Sequence, residues 1–188
     1  MPGRMTIGLY NTYDPNKFRE AHRRVLARSG PVALAFGCNL ATFGFPYEKE
    51  MRTPQEIVDW LSTTTTIGEG GEYLIELAKA GRFSIFDKPT KGFPPQFGEL
   101  IVTTRKPEPE RSVSPKNVAD MVKSGQSVLL LFGLGPHGLP KEIFKVGKYH
   151  MDITGQGISM ETATAIGAVP AVLRTLIGIQ SPDGHLDR

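Results

Sequence analysis

Apolar positions along the chain fall into short runs whose spacing alternates between strand and helix periods. Met5–Tyr10 is a first strand-length run. Over Asn16–Arg28, Phe18, Ala21 and Val25 share one helical face, and Gly30-Pro31 reads as a stop. Val32–Phe36 is apolar without polar alternation, which predicts a parallel strand buried on both faces. From Gly37 to Arg52 the chain is rich in Gly, Phe and Pro and reads as irregular. Thr53-Pro54-Gln55-Glu56 has the spacing of a capping box with Pro at the first helical position, opening a helix that carries Ile57, Val58 and Leu61.

The alternation continues to the end. Glu69–Ala80 predicts a helix with Leu74, Leu77 and Ala78 inward and Gly81 as its cap, and Arg82–Phe86 a short strand. A Pro/Gly-rich loop, Lys88 to Gly98, leads to a strand at Glu99–Thr103. Ser114-Pro115 caps a helix bearing Val118, Met121 and Val122, ended by Gly125. Ser127–Phe132 is the most hydrophobic strand, Tyr149–Ile153 a last short one, and Glu161–Ile177 the final helix, in which Pro170 predicts a kink or an early end. The order implies one α/β domain with a mainly parallel sheet and helices on both faces. Ligands of such sheets sit beyond the C-terminal strand ends, which singles out Thr103–Pro109, Gly133–Pro140 and Thr154–Ser159.

Composition changes this picture little. With 39% hydrophobic and 22% charged residues the chain is neither disordered nor membranous, and no run approaches the ~20 apolar residues of a membrane span. Met-Pro-Gly-Arg followed by a strand is unlike a signal peptide, and the single cysteine, Cys38, excludes an internal disulfide; both fit a cytoplasmic protein. Charge is more informative. Of a net +3, the whole excess lies in residues 1–30, where Arg4, Lys17, Arg19, Arg23, Arg24 and Arg28 face only Asp14 and Glu20. That patch reads as a phosphate-backbone contact or as a solvated helix face. The four histidines, His22, His137, His150 and His185, lack metal-ligand spacing, so no metal is expected.

Two segments carry candidate chemistry. Leu129-Leu130-Leu131-Phe132-Gly133-Leu134-Gly135-Pro136-His137-Gly138-Leu139-Pro140 is a buried strand running into a glycine loop. Its glycines let backbone approach a ligand closely. It lacks the Gly-Lys-Ser/Thr ending of a Walker loop, and Pro136 spoils a dinucleotide-binding helix start. Met151-Asp152-Ile153-Thr154-Gly155-Gln156-Gly157-Ile158-Ser159-Met160-Glu161-Thr162-Ala163-Thr164-Ala165 is a strand end, a Gly-x-Gly loop and a helix start built of small residues. Free N–H groups there suit a polar ligand.

Together these segments resemble the last two signature motifs of the SPOUT (α/β-knot) methyltransferases. Phe132-Gly133 with Gly138-Leu139 matches the first, and Ile158–Ala165 the second. As a whole the chain is similar to an archaeal group of uncharacterised SPOUT-like proteins, whose motifs Thr64–Gly71 and Gly92–Gly98 resemble. The resemblance implies a single SPOUT-like α/β domain over residues 1–188, with a C-terminal trefoil knot that holds the cofactor at about 99–178. It implies S-adenosyl-L-methionine held by Thr103, Phe132, Gly133, Leu134, Gly138, Leu139, Ile153, Thr154, Ile158, Ser159, Met160 and Ala163. It also implies a homodimer acting on tRNA or rRNA. Where the family carries Asn-Glu after the first glycine this chain has Leu134-Gly135, and where it carries Asn in the second motif this chain has Glu161.

The resemblance offers Asn11, at the first strand end, and Arg23, in the following helix, as substrate-facing catalytic candidates. Asn11-Thr12-Tyr13-Asp14-Pro15 is equally a turn and helix cap. Thr63–Thr66 before a helix is a candidate anion site, and the aromatic residues of Phe43–Tyr47 and Phe93–Phe97 are candidate base-stacking groups or loop packing. Three functions remain open: an S-adenosylmethionine-dependent RNA methyltransferase, a non-catalytic SPOUT-like protein that binds RNA or a nucleotide, and a small-molecule methyltransferase.

Overall fold

Strand β1 (Met5–Asn11) is buried at all seven positions, as a central parallel strand must be. The computed structural model describes residues 1–48, 50–63 and 70–178. They build a six-stranded, all-parallel sheet of order β3-β2-β1-β5-β4-β6, with β2 at Asn39–Phe43, β3 at Phe83–Phe86, β4 at Glu99–Thr103, β5 at Val128–Leu134 and β6 at Tyr149–Met151. In the β1–β5 register Ile7 faces Leu130 and Leu9 faces Phe132, so the pleat sends both rows to the same side.

The two faces are covered unequally. Met5, Ile7, Leu9, Leu130 and Phe132 meet helices α1 (Glu20–Ala35), α2 (Pro54–Ser62), α3 (Gly70–Lys79), α4 (Pro115–Lys123) and α6 (Thr162–Ile177) in the main core. Among the described residues, Tyr10, Phe43, Leu129 and Leu131 on the other face meet the short helix α5 (Lys141–Val146), Leu139 and the loop around Phe93 and Phe97. Gly8 lies in this second row. A Cβ there would sit 2.8 Å from Leu129 Cδ1 and 3.0 Å from Leu131 Cδ1, so its hydrogen makes room for both leucines.

The sequence misplaces one strand. Val32–Phe36 is the last stretch of α1, not a strand, and the second strand is Asn39–Phe43 in the segment read as irregular. A short apolar run has no period to distinguish a buried helix end from a buried strand. Gly30-Pro31 does not stop the helix because Gly30 sits where α1 packs on α3: a Cβ there would be 3.2 Å from Leu74 Cγ. The real stop is Gly37, in the left-handed region at φ 64°. Two guanidinium groups hold carbonyls at and just past the helix end: Arg82 donates to Ala33 and Cys38, and Arg174 to Phe36.

Elsewhere the local rules hold. The Thr53 hydroxyl accepts from the Glu56 N–H while the Glu56 carboxylate accepts from Thr53 N–H, the reciprocal capping box. Ser114 caps α4 with a single bond, its hydroxyl accepting from the Asn117 N–H. Helix α6 runs on through buried Pro170 to Ile177, so the proline does not end it. Helix α5 has no counterpart in the apolar periodicity, since six residues are too few to show one.

The Gly30 contact gives a direct test of the α1–α3 seam. Gly30→Val should wedge the helices apart and lower the unfolding free energy in urea by about 1–3 kcal/mol, as overpacked cores do.

Candidate functional site: a glycine-built cleft at three strand ends

β5, β4 and β6 are neighbours, so the loops that follow them meet at one end of the sheet. Between these loops and α6 lies a cleft of about 810 Å³. Its wall toward β4 comes from Thr103 to Lys106, its base from Phe132 and Gly133, and its cover from Pro136 to Leu139. Ile153, Ile158, Ser159 and Met160 contribute from the loop after β6. Thr162, Ala165 and Val169 line it from α6, and Lys141, Phe144 and Lys145 from α5.

Gly133 decides the shape. A Cβ on it would lie 2.5 Å from the Gly138 carbonyl carbon and 2.8 Å from the Leu139 nitrogen, so the loop returns in backbone contact with the strand end. Gly138 has φ 66° and nothing within 4 Å of the side-chain position, so that turn of the cover is bare. The Gly133 carbonyl accepts from the Thr162 hydroxyl at 3.0 Å, which fastens the start of α6 to the same point. The Thr103 hydroxyl, at the cleft wall, donates to the Leu131 carbonyl, which leaves its oxygen free to accept.

Asp152 shapes the third loop. Its carboxylate accepts from the N–H and hydroxyl of Thr154 and from the Gly157 N–H. Burial pushes its pKa up, but the bonds from Gly157 and Thr154 outweigh this and the net shift is downward. It is an organiser of the loop and a poor base.

Of the expected cofactor residues, all but Leu134, Thr154 and Ala163 line the cleft. Leu134 turns its side chain into the main core, and its carbonyl accepts from the Thr12 N–H and hydroxyl. Thr154 is spent on the Asp152 turn. The sequence reading overlooked the contributions of α5 and the inner face of α6. Pro140 directly before Lys141 was the only sign of the first.

Asn11 and Arg23 do not join the cleft lining. Asn11 is a buried structural hub. Its amide donates to the carbonyls of Asp14 and Gly44, and its oxygen accepts from the Tyr13 N–H and from His22. Those four bonds use its full capacity, so the turn-and-cap reading describes it. His22 Nδ1 accepts from the Arg19 N–H at 2.9 Å, so Nε2 carries the proton toward Asn11. Burial lowers the His22 pKa despite the pull of Asp14. Arg23 lies over Trp60 and Phe18, with 5.3 and 5.8 Å to the ring centroids. Its Nε is buried without a hydrogen-bond partner.

Phe43, Phe45 and Phe97 are buried; Phe93 packs edge-on to Phe43 at 4.9 Å, and the Tyr47 hydroxyl pairs with Thr42, so both aromatic loops are packing and not base-stacking platforms. His137 is exposed on the cleft cover and His150 is fully buried. Thr64–Glu69 and His185 lie outside the described residues. Among the described residues no His/Cys/Asp/Glu group could hold a metal ion, and no helix is long and apolar enough to cross a membrane.

The model of a family described as "Protein of unknown function (DUF531)" matches residues 5–174. An uncharacterised protein of Methanocaldococcus jannaschii is 44% identical over 170 residues, covering 90% of this chain and 93% of that protein. Among solved structures, the chain is similar to a probable methyltransferase from Bordetella pertussis, with TM-score 0.63 and 13% identity over 93% of this chain and 96% of that one. It is also similar to an rRNA methyltransferase from Sinorhizobium meliloti with AdoMet bound, with TM-score 0.55 and 19% identity over 93% of this chain and 57% of that one. At these identities the structural likeness establishes the α/β fold.

The buried Asn11–His22 pair makes stability depend on pH. His22 has a folded pKa below its ordinary value near 6.5, so its contribution is complete above that value and is lost as pH falls through the folded pKa. The urea midpoint should therefore fall between about pH 8 and about pH 5.5, and a His22→Gln variant should lose that component.

Proposed function

The chain belongs to the DUF531 family, and from its fold and cleft we propose that it is an S-adenosylmethionine-dependent methyltransferase of the SPOUT type acting on RNA. The observation that carries this reading is the cleft itself: a bare, glycine-built cradle at the C-terminal ends of β4, β5 and β6, on a fold shared with solved methyltransferases.

The residues present fit the cofactor. Phe132, Leu139, Ile153, Ile158 and Met160 offer an apolar slot for an adenine ring, and Thr103, Ser159 and the loop backbone offer hydroxyl and peptide groups for its polar edges. Ala165 keeps the α6 side of the slot open. When bound, the cofactor supplies an electrophilic methyl group on sulfur. The chain's own task is to hold a nucleophile in line with that methyl and to keep water out. Asn11 and Arg23 are not proposed for this task, since one is saturated and the other lies over an aromatic pair away from the cleft.

The SPOUT assignment carries two further proposals. The segment after β6 forms a trefoil knot: it leaves the sheet edge beside β4 and returns past the Gly133–Leu139 crossing before α6 packs on α1 and α4. The chain also works as a homodimer. On α6, Val172 and Leu176 are exposed one turn apart, an apolar strip that a second copy would cover.

A non-catalytic nucleotide- or RNA-binding protein is the second reading. What favours it is that the expected polar groups are absent from the cleft: Leu134 is in the core, and Glu161 reaches toward Arg28 at 3.8 Å.

Calorimetric titration with S-adenosylmethionine and S-adenosylhomocysteine tests the assignment. Binding in the micromolar range is expected, weakened about tenfold or more by Ala165→Leu or by Ser159→Trp, each of which puts bulk into the slot. No heat at millimolar ligand from folded protein would remove the methyltransferase reading.

A further inference from the structure

We propose that RNA enters along a cationic mouth around the cleft, formed by Arg105 and Lys106 on one side and Lys141 and Lys145 on the other, and not along the basic helix α1. The inference rests on the methyltransferase reading above.

The two basic regions differ in how far they are neutralised. Each arginine of α1 and its cap has a carboxylate within reach: Arg19 with Asp14 at 2.9 Å, Arg23 and Arg24 with Glu20 at 3.8 and 3.3 Å, and Arg28 with Glu161 at 3.8 Å. Only Glu161 is new to the sequence count, so a net positive charge remains, but each of these arginines is held in an ion pair. Around the cleft the reverse holds. Arg105, Lys106, Lys141 and Lys145 are exposed, and among the described residues none has an ion-pair partner. Both carboxylates of the lining are engaged, Glu108 with Arg111 at 3.3 Å and Asp152 with its own loop. Four free cations exceed what the single carboxylate of an amino-acid cofactor can answer, and they suit a chain of phosphates passing the opening.

The two sides are also held at a fixed separation. Buried His150 accepts from the Glu108 N–H through Nδ1 and donates from Nε2 to the Phe144 carbonyl, linking the loop after β4 to α5. Arg111 repeats the link, its Nη1 lying 2.9, 2.7 and 2.8 Å from the carbonyls of Phe144, Lys145 and Gly147. Lys141 and Lys145 stand one turn apart on the braced helix, so both face the opening. A preset separation of the charged walls leaves only side-chain ordering to each encounter. A single strand fits this arrangement better than a duplex, because a base must leave any stack to reach a cleft floor at Gly133.

The test is fluorescence anisotropy with a labelled oligouridylate of about 20 nucleotides, titrated over a range of KCl concentrations. Lys141→Glu/Lys145→Glu and Arg105→Glu/Lys106→Glu should each weaken binding about tenfold or more and flatten the salt slope by roughly 1.4, the loss of two single-strand contacts. Arg19→Glu/Arg24→Glu on α1 should change affinity less than about threefold. Equal or greater loss from the α1 pair, unchanged binding by both mouth pairs, or no binding by the wild type at low salt would each overturn the proposal. Titration of the same proteins with S-adenosylhomocysteine separates the two failures: retained cofactor binding leaves the methyltransferase reading standing without this mouth, and loss in the wild type removes that reading itself.

Discussion

The cleft depends on one close approach, the return of the Pro136–Leu139 loop onto Gly133. With 2.5 Å between a hypothetical Cβ and the Gly138 carbonyl carbon, no other residue fits without moving backbone. The strand end, the loop cover and the start of α6 all converge there, the last through the Thr162 hydroxyl. A single atom on Gly133 would thus displace three parts of the wall at once. The open space at Gly138 follows from the same constraint, because the loop that lies against the strand turns its bare side outward.

Much of this was legible in the sequence. Caps at Thr53 and Ser114 and the strands at Glu99 and Ser127 follow from local rules that tertiary contacts did not override. The glycine loop after β5 and the Gly-x-Gly loop after β6 were visible as separate segments, and parallel pairing through β4 places them together. The failures have specific causes. Gly30-Pro31 carries the letters of a helix stop, yet the glycine serves close packing against Leu74 and the helix continues. Helix α5 is too short to show a period. Nor can a count of charged residues show that Glu161, far along the chain, comes back to face Arg28.

The N-terminal strand end is a second lesson in reading polar residues. Asn11 sits where a substrate contact was expected, and its geometry assigns every donor and acceptor to the fold. With His22 fixed as a single tautomer against it, the pair joins β1, the turn to α1 and the end of β2 in a buried network. Such a network specifies one arrangement when every member is satisfied, and it leaves no group over for chemistry.

The second face of the sheet is closed by a helix of six residues, and that helix is also a wall of the cleft. Its last carbonyls are held from outside by Arg111 and His150, and its inward contacts are few, chiefly Ile143 and Phe144. Segments of this kind exchange their amide hydrogens through local opening well before global unfolding. Occupancy of the cleft and protection of α5 are therefore two readings of one equilibrium: whatever settles against this wall slows its breathing, and the amides of Ile143 to Gly147 record the occupant through the wall it touches.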